Sequence, residues 1–296
     1  MKNIIFLLLV VTIGFSYNGS ITGLTYFNYQ YSEDASGFNL NRQYFNYAIE
    51  MAHNIKFKVV FDVGRTNKLV DQFGNQEDSR LAVFLKKAQL NYKSKWGKAS
   101  FGMIGVNTYG VQEKNWGYRF IEKSAMDKND FTSTADLGMG FSKQLNDKIN
   151  FNIQLVNGEG YKKPQSDKYK NLSIRINYGE LNLFKNKGFN LGLVFSTKEK
   201  QDNYDNLISI YGGVSVNRFR LAGESNFLTV NNITKNLNSL SSTYNINSKI
   251  KFFMRYDLLQ EENMDDEQYS ITGFIYNCGN GFILSPNIRS IDENTE

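Results

Sequence analysis

The chain has 296 residues, of which 41% are hydrophobic and 15% aromatic, and its formal net charge is +5. This small, dispersed charge gives no indication of a nucleic-acid partner, and one cysteine, Cys278, excludes a disulfide scaffold. No run of about 18 apolar residues follows the N-terminal stretch, so a helical membrane protein is also excluded.

The first sixteen residues have the pattern of a secretory signal peptide. An apolar stretch covers residues 4–15, and the small residues Gly14 and Ser16 occupy the two positions that a signal peptidase reads. The stretch is too short for a transmembrane anchor. We expect cleavage after Ser16, so that residues 1–16 are the signal and residues 17–296 are exported.

From about residue 20 onwards, apolar and polar residues alternate in repeated segments. In residues 55–63, apolar side chains occupy one face of a strand and Lys56, Lys58 and Asp62 the other. The alternation predicts fifteen strands. They cover residues 20–33, 39–52, 55–66, 81–94, 97–106, 135–145, 148–158, 169–181, 188–198, 205–217, 218–228, 240–248, 250–260, 267–277 and 281–290.

The connections between these strands alternate in length. Tight turns rich in Asn, Asp and Gly, which tolerate positive φ, are expected at 53–54, 95–96, 146–147, 186–187, 217–218, 248–249 and 279–280. Long loops are expected at about 34–38, 67–80, 107–134, 159–168, 199–204, 229–239 and 261–266. A soluble sandwich has no reason to keep every second loop short, so this alternation of short and long connections is typical of an outer-membrane barrel.

Charged residues on the polar faces indicate where those faces point. A dry core would make each charge cost several kcal/mol, whereas a water-filled lumen removes that cost. The apolar faces then meet lipid, and the sheet must close. We predict an all-β, transmembrane, antiparallel up-and-down barrel in the bacterial outer membrane. Its predicted pore-lining residues are Lys56, Lys58, Asp62, Arg175, Arg218, Arg220, Glu224, Lys251 and Arg255.

The number of predicted strands is odd, whereas single-chain bacterial barrels have an even number. The last predicted strand, 281–290, is followed only by a polar tail. We expect a C-terminally truncated fragment of a sixteen-stranded barrel whose last strand is missing. The alternative is fourteen strands, with the weakest segment, 240–248, wrongly assigned. Pro286 is a further anomaly, because proline removes a ladder donor.

Two local features of the sequence stand out against the strand pattern. The connection 107–134 is too long and too aromatic for a solvated loop, and Trp116, Tyr118 and Phe120 need a surface to bury against. We predict that it packs on the inner wall as the pore constriction; the alternative is an outward cap. The constriction residues would be Glu113, Arg119, Glu122 and Lys123. Elsewhere, Lys86-Lys87 interrupts the alternation, which indicates a β-bulge.

The whole mature chain resembles outer-membrane porins, most closely the phosphate-selective porin O and P-like group. Besides the signal and the strand pattern, the resemblance lies in three short segments. These are Trp96-Gly97, Trp116-Gly117-Tyr118-Arg119 and Ala135-Asp136-Leu137-Gly138. It implies passive diffusion of small hydrophilic or anionic solutes, a third outward loop folded into the channel, and a homotrimer. No ladder of closely spaced arginines supports phosphate specificity, so we expect only a mild anion preference.

The sequence gives little support for catalysis. The single histidine, His53, falls in a predicted tight turn, far from the outer rim where a barrel hydrolase would need it. Clustered His or Cys ligands for a metal are absent from the sequence, and the acidic run 261–267 is best interpreted as a solvated loop. We expect no enzyme activity and no cofactor. The alternatives are an outer-membrane barrel enzyme or a secreted soluble β-rich binding protein.

Overall fold

The computed structural model describes residues 19–32, 36–65, 81–201, 203–262 and 264–293. The predicted signal peptide, 1–16, and the predicted loop 67–80 lie outside these ranges. Within them, no helix is long and apolar enough to cross a membrane.

The described chain consists mainly of antiparallel strands. These are β1 (Gly19–Tyr31), β2 (Ser36–Ala52), β3 (Ile55–Arg65), β4 (Leu81–Ser94), β5 (Gly97–Gly105), β6 (Ala135–Gln144), β7 (Ile149–Val156), β8 (Asn171–Gly179), β9 (Gly188–Glu199), β10 (Tyr204–Val216), β11 (Phe219–Val230), β12 (Ile233–Asn245), β13 (Ile250–Glu261), β14 (Glu267–Gly279), β15 (Phe282–Leu284) and β16 (Asn287–Glu293). Between β5 and β6 lie two short helices, α1 (Gly110–Trp116) and α2 (Ala125–Lys128).

All sixteen strands form one sheet in chain order, and β15 and β16 both pair with β14. The predicted fifteenth strand is therefore divided in two at Ser285-Pro286, as expected from a proline that cannot donate to the ladder. The carbonyl of Pro286 still accepts a hydrogen bond of 3.0 Å from the N–H of Phe274. The predicted all-β, up-and-down antiparallel architecture is confirmed.

The two edges of the sheet approach the same stretch of the connection between β5 and β6. The ring of Phe120 lies 6.3 Å from that of Tyr26 on β1. On β16, Arg289 donates to the carbonyl oxygen of Ile121 at 2.6 Å and to Glu122 at 3.1 Å. A flat sheet of this width could not bring both edges to three consecutive residues, so the sheet is curled into a barrel around the connection.

Side chains partition across the sheet as the alternation predicts. On β9, Phe189, Leu191, Leu193 and Phe195 are exposed, whereas the alternate residues Asn190, Val194 and Ser196 are buried. Water would be a poor solvent for the outer face, because each large apolar side chain left in water forgoes about 1.5–3 kcal/mol of burial free energy. A hydrocarbon surrounding removes that deficit, and the inner face carries the polar groups.

Three details of the predicted strand pattern are wrong: the start of β12, the long loop before it, and the short turn at 186–187. Strand β12 begins at Ile233 rather than at residue 240, because Asn231 and Asn232 adopt positive φ and close a tight hairpin where a long loop was expected. This also removes the fourteen-strand alternative, since the doubtful segment belongs to a longer strand. The predicted short turn at 186–187 is a longer connection, 180–187, because β8 already ends at Gly179, whose φ is +87°.

The predicted bulge at Lys86-Lys87 is confirmed. Val60 on β3 pairs with Lys87 and Phe61 pairs with Leu85, so Lys86 is the extra residue. A bulge places two consecutive side chains on the same side of a strand. Lys86 and Lys87 therefore both point into the barrel, and the outward-pointing residues continue from Ala88.

Candidate functional site

The connection between β5 and β6, residues 106–134, folds into the barrel and packs against the inner wall; we call it the inner loop. Trp116, Tyr118 and Ile121 form one buried cluster with Phe253 and with residues of β14. The Trp116 and Phe253 rings lie 5.9 Å apart in an edge-to-face arrangement. The predicted packing of the loop aromatics on the inner wall is therefore present in the structure.

Polar side chains of the wall hold the backbone of the inner loop. Arg220 on β11 donates to the carbonyl oxygen of Trp116 at 2.8 Å, and Arg255 on β13 donates to that of Lys123. These bonds satisfy loop carbonyls that would otherwise be buried without partners. Arginine suits this role because its fork of donors reaches several acceptors at once.

Neutral side chains attach the first part of the inner loop to the wall from β7 to β10. Asn107 donates to the side-chain oxygen of Asn152 at 2.7 Å, and Gln112 donates to the hydroxyl of Ser209 at 3.1 Å. The amides of Asn115 and Asn190 bond reciprocally at 3.0 and 2.9 Å. Together with the arginines, these contacts attach the loop to the wall from β7 to β13.

The free face of the inner loop carries an ion-pair cluster. Arg119 lies 2.6 Å from Glu113 and 2.5 Å from Asp127. Burial disfavours the charge of Arg119, but the two carboxylates outweigh that effect and raise its pKa above the usual arginine range. Arg119 therefore stays charged at neutral pH, and it lies between two acidic side chains.

The facing wall, β2 to β4, carries a second charged group. Asp62 is fully buried and pairs with Arg42 at 2.6 Å and with Lys86 at 3.6 Å. Lys86 also donates to the hydroxyl of Tyr44 at 2.9 Å. Lys87 interacts electrostatically with Glu113, Arg119 and Lys58. This wall thus presents a positive surface to the acidic side of the inner loop.

The four predicted constriction residues all lie on the inner loop, but only two of them share a cluster. Glu113 and Arg119 are ion-paired. Glu122 instead accepts from the Tyr269 hydroxyl at 3.0 Å and pairs with Arg289, so it attaches the loop to β14 and β16. Lys123 is half-buried, and its backbone rather than its ammonium group makes the contact with the wall.

Six of the nine predicted pore-lining residues form two groups. Lys56 is exposed near a short turn and pairs with Glu50 at 3.4 Å, Lys58 is half-buried, and Asp62 is enclosed by its partners. The arginines of the opposite wall have the inner loop over them, and Arg175, Arg220 and Arg255 are 9%, 8% and 2% exposed. The expectation that they face open water fails, because the loop covers their side of the lumen.

The remaining three predicted pore-lining residues have different surroundings. Arg218 is exposed in the turn between β10 and β11, at the rim rather than along the wall. Lys251 is half-buried on β13, with its ammonium group 5.9 Å from the Phe184 ring. Glu224 lines a cavity of about 10 Å³ beneath the inner loop, about the space of one water molecule.

A larger cavity of about 240 Å³ opens between the end of the inner loop and the wall from β6 to β11. Its lining includes the carboxylates of Asp130, Asp136, Glu159 and Asp205 and a single cation, Lys198. Among the described residues, no group of three or more His, Cys, Asp or Glu side chains is placed to hold a metal ion.

Sequence reasoning missed four residues of the charged groups that face each other: Arg42, Lys86, Lys87 and Asp127. Lys86 was detectable, because the consecutive lysines break the alternation of β4. Arg42 and Asp127 carried no such signal, since their partners lie 20 positions away on β3 and 8 positions away across a loop. Only the folded chain brings these groups together.

Comparison with known proteins finds matches among solved structures only; no protein-family model and no curated protein matches the sequence. The trimer form of OmpT, an outer membrane protein of Vibrio cholerae, superposes with a TM-score of 0.67 at 11% identity, over 93% of this chain and 89% of that one. OmpF of Salmonella typhi, in complex with daunomycin, gives 0.67 at 11% identity, over 93% and 90%.

An anion-selective porin from Comamonas acidovorans gives a TM-score of 0.66 at 12% identity, over 93% of this chain and 90% of that porin. Likeness at such low identity establishes the fold, which is that of porin barrels. The structural relatives are outer-membrane barrel proteins, and the predicted location in the bacterial outer membrane agrees with them.

Proposed function

We propose that this chain is an outer-membrane porin through which small hydrophilic solutes diffuse passively, with a mild preference for anions. The observation that supports it most directly is the inner loop. A polar-lined barrel has no structural need to fill its lumen with a loop of two helices, held by buried arginines and an ion-pair cluster. A loop in this position narrows the passage that remains beside it.

The proposed passage runs between the inner loop and the wall from β2 to β4. On one side stand Glu113, Arg119 and Asp127, and on the other a wall with four cations and one carboxylate. The four cations are Arg42, Lys58, Lys86 and Lys87, and the carboxylate is Asp62. The excess of positive charge favours anions, since facing charges select ions through the field they set across a narrow pore.

Single-channel recording in planar bilayers tests this proposal. Stable current steps, with a reversal potential in a salt gradient that indicates mild anion preference, are the expected result. The double variant Lys58→Glu/Lys87→Glu should then prefer cations, because it replaces by carboxylates two ammonium groups of the wall that form no ion pair with the described residues.

The matched control is Lys95→Glu/Lys148→Glu, which makes the same change in net charge at two exposed turn residues. We expect a much smaller shift in its reversal potential. An equal shift in both variants would place the selective charges at the mouth instead of at the inner loop. A correctly folded protein that gave no current steps would refute the channel itself.

Phosphate specificity is not part of the proposal, because the arginines with most potential for a phosphate ladder, such as Arg220 and Arg255, are engaged by the inner loop. A homotrimer is part of it, supported by the trimer form of the OmpT relative. Native mass spectrometry in detergent, or chemical cross-linking in the membrane, should give a threefold species.

The two alternatives have weaker support. His53 is exposed in the short turn between β2 and β3, so we propose no enzyme activity, and His53→Ala should leave any hydrolytic background unchanged. A secreted soluble protein would be extracted without detergent. The exposed apolar belt predicts instead that the protein requires detergent and migrates differently before and after heating.

A further inference from the structure

Five cations lie on the lumen side of the barrel half that bears the short turns, and none forms an ion pair within the described part of the chain. We call them the basic belt: Lys98, Lys114, Arg175, Arg220 and Lys251. Lys98, Arg220 and Lys251 are each the second residue of a strand that follows a short turn, β5, β11 and β13. These three residues therefore lie at the same level of the barrel wall, beside the short turns, although they come from distant parts of the sequence.

Within the basic belt, the cations repel one another in two groups, Lys98, Lys114 and Arg175 in one and Arg220 and Lys251 in the other. Lys98 interacts with Arg175, and Lys251 with Arg220. Lys114, which reaches into this half from α1, has its pKa lowered by burial and by the charges of Arg175 and Lys98. Two carboxylates also act on Lys114, those of Glu113 and Glu180, and Glu113 is paired with Arg119. Five cations against these two carboxylates leave the belt with an excess of positive charge.

Hydrogen bonds account for part of the basic belt but leave its charge uncompensated. Arg175 donates to the neutral side chain of Asn150 at 3.1 Å, and its Nε is buried with no hydrogen-bond partner. Arg220 donates to a carbonyl oxygen and to the Thr243 hydroxyl. Partners of this kind satisfy donors without cancelling charge, so the potential of the belt is not neutralised locally.

The half of the lumen towards the long loops has the opposite sign. The lining of its 240 Å³ cavity contains the four carboxylates of Asp130, Asp136, Glu159 and Asp205 against one ammonium, Lys198. In the sheet, Asp136 on β6 lies directly across from Ile104 on β5, and Ile104 is six positions from Lys98 on that strand. At about 3.3 Å per residue this separation is about 20 Å. Positive and negative zones therefore follow one another along the pore axis.

We propose that the lumen is polarised along its axis and conducts ions better in one direction than in the other. The inference rests on the proposed channel function. When the long-loop side is at positive potential, cations enter through the acidic zone and anions through the basic belt, so carriers accumulate between the two zones. When the potential is reversed, each ion first meets a zone of its own charge, and the middle of the lumen is depleted of carriers.

The rectification should depend on salt. At about 0.01 M the Debye length is about 30 Å, so the wall charges control the whole lumen, whereas at about 1 M it is about 3 Å and they are screened. We expect the currents at opposite voltages of equal size to differ roughly twofold at the lower salt and to become equal at the higher one.

The test is the current–voltage curve of single channels at both salt concentrations. The triple variant Lys98→Gln/Lys114→Gln/Lys251→Gln removes the three lysines of the basic belt and keeps its two arginines, which donate hydrogen bonds to neutral groups, and its current ratio at low salt should approach one. The control is Lys95→Gln/Lys148→Gln/Lys185→Gln, which removes three exposed lysines from turns at the same end of the barrel. It should keep the ratio of the unmodified protein.

Three results would overturn the inference. The unmodified channel could pass equal currents at both polarities in low salt, the triple variant could rectify as strongly as the unmodified protein, or the control could lose rectification as completely as the triple variant. All three leave the porin proposal intact, because current steps are still present. A complete absence of steps would instead remove the channel on which both proposals depend.

Discussion

The inner loop divides the barrel wall into two regions that use similar residues differently. On the covered wall, from β7 to β14, arginines such as Arg220 and Arg255 are buried and hold the backbone of the loop. On the facing wall, from β2 to β4, Lys58 and Lys87 are half-buried and form no ion pair among the described residues. The covered wall holds the inner loop in place, whereas the facing wall presents its charges to the proposed passage.

This difference shows that alternation alone does not identify a pore-lining residue. Arg255 and Lys58 both lie on inner faces of strands, yet Arg255 is buried beneath the inner loop and Lys58 is only half-buried. The predictions below change each wall separately, beginning with the largest expected effect.

Replacing Arg255 by Ala should destabilise the covered wall most. The guanidinium of Arg255 is paired with the buried carboxylate of Asp257, and its loss leaves that charge without a cation. Breaking such a pair costs about 3–5 kcal/mol. Thermal unfolding in detergent should show a clearly lower midpoint, whereas Arg218→Ala, an exposed turn arginine, should leave it unchanged. Equal midpoints for the two variants would argue against the anchoring role.

Gly117→Ala should loosen the inner loop. Gly117 has φ +77° at the end of α1, and a Cβ atom there would lie 2.2 Å from the Phe184 ring. The backbone strain alone costs about 1–3 kcal/mol. Gly281→Ala is a matched control, because Gly281 has φ +82° with no atom within 4 Å of its Cβ position.

We expect larger and noisier single-channel current for Gly117→Ala than for Gly281→Ala, since only the first substitution pushes against the loop support. If both variants gave the same current as the unmodified protein, the inner loop would not determine the width of the passage.

Asp62→Asn should make the facing wall more positive. Arg42 and Lys86 would lose their shared carboxylate but keep a polar neighbour of the same size. The reversal potential in a salt gradient should move further towards anions. Glu50→Gln, an exposed carboxylate beside a short turn, provides the comparison and should have a smaller effect. A shift towards cations would contradict the proposed position of the passage.

The smallest expected effect concerns pH and an outward loop. Partial desolvation favours the neutral form of Asp167, but hydrogen bonds from Lys198 and from the N–H of Tyr169 outweigh it and hold the pKa of Asp167 below its usual value. A depressed carboxyl pKa stabilises the fold above the unfolded pKa, and the stabilisation is lost as pH falls through the folded pKa.

Amide hydrogen exchange in residues 157–170, corrected for the intrinsic rate at each pH, should therefore stay slow at pH 5 and increase only below about pH 4, the ordinary range of Asp. Lys198→Met should bring the increase to a higher pH. The contribution of Asp167 would be disproved if exchange increased at the same pH in both proteins.

Most of the fold was predictable because strand alternation and turn chemistry are local. The outward face of β9, the bulge at Lys86 and the break at Pro286 each follow from residues a few positions apart. The start of β12 was not predictable in this way, because its polar first half lacks an apolar face and Asn231-Asn232 is a weak turn signal. The C-terminal truncation of the chain stays a prediction.

The candidate site was predictable only in part. The aromatic content of the connection after β5 showed that it must bury against something, and the inner wall was the surface available. Which charges would meet there was undetermined, because Glu122 and Glu113 look alike in sequence. Glu122 binds Tyr269 and Arg289, whereas Glu113 pairs with Arg119 on the free face of the inner loop.

The amino-acid sequence by itself determined that this chain forms a lipid-facing, up-and-down barrel, because period-two alternation and short turns act between neighbours. Tertiary structure decided which polar groups of the inner face hold the inner loop and which the loop leaves uncovered. That decision depends on contacts such as the one between Arg220 and Trp116, 104 positions apart, and the energy of a charge is set by the groups that surround it in space.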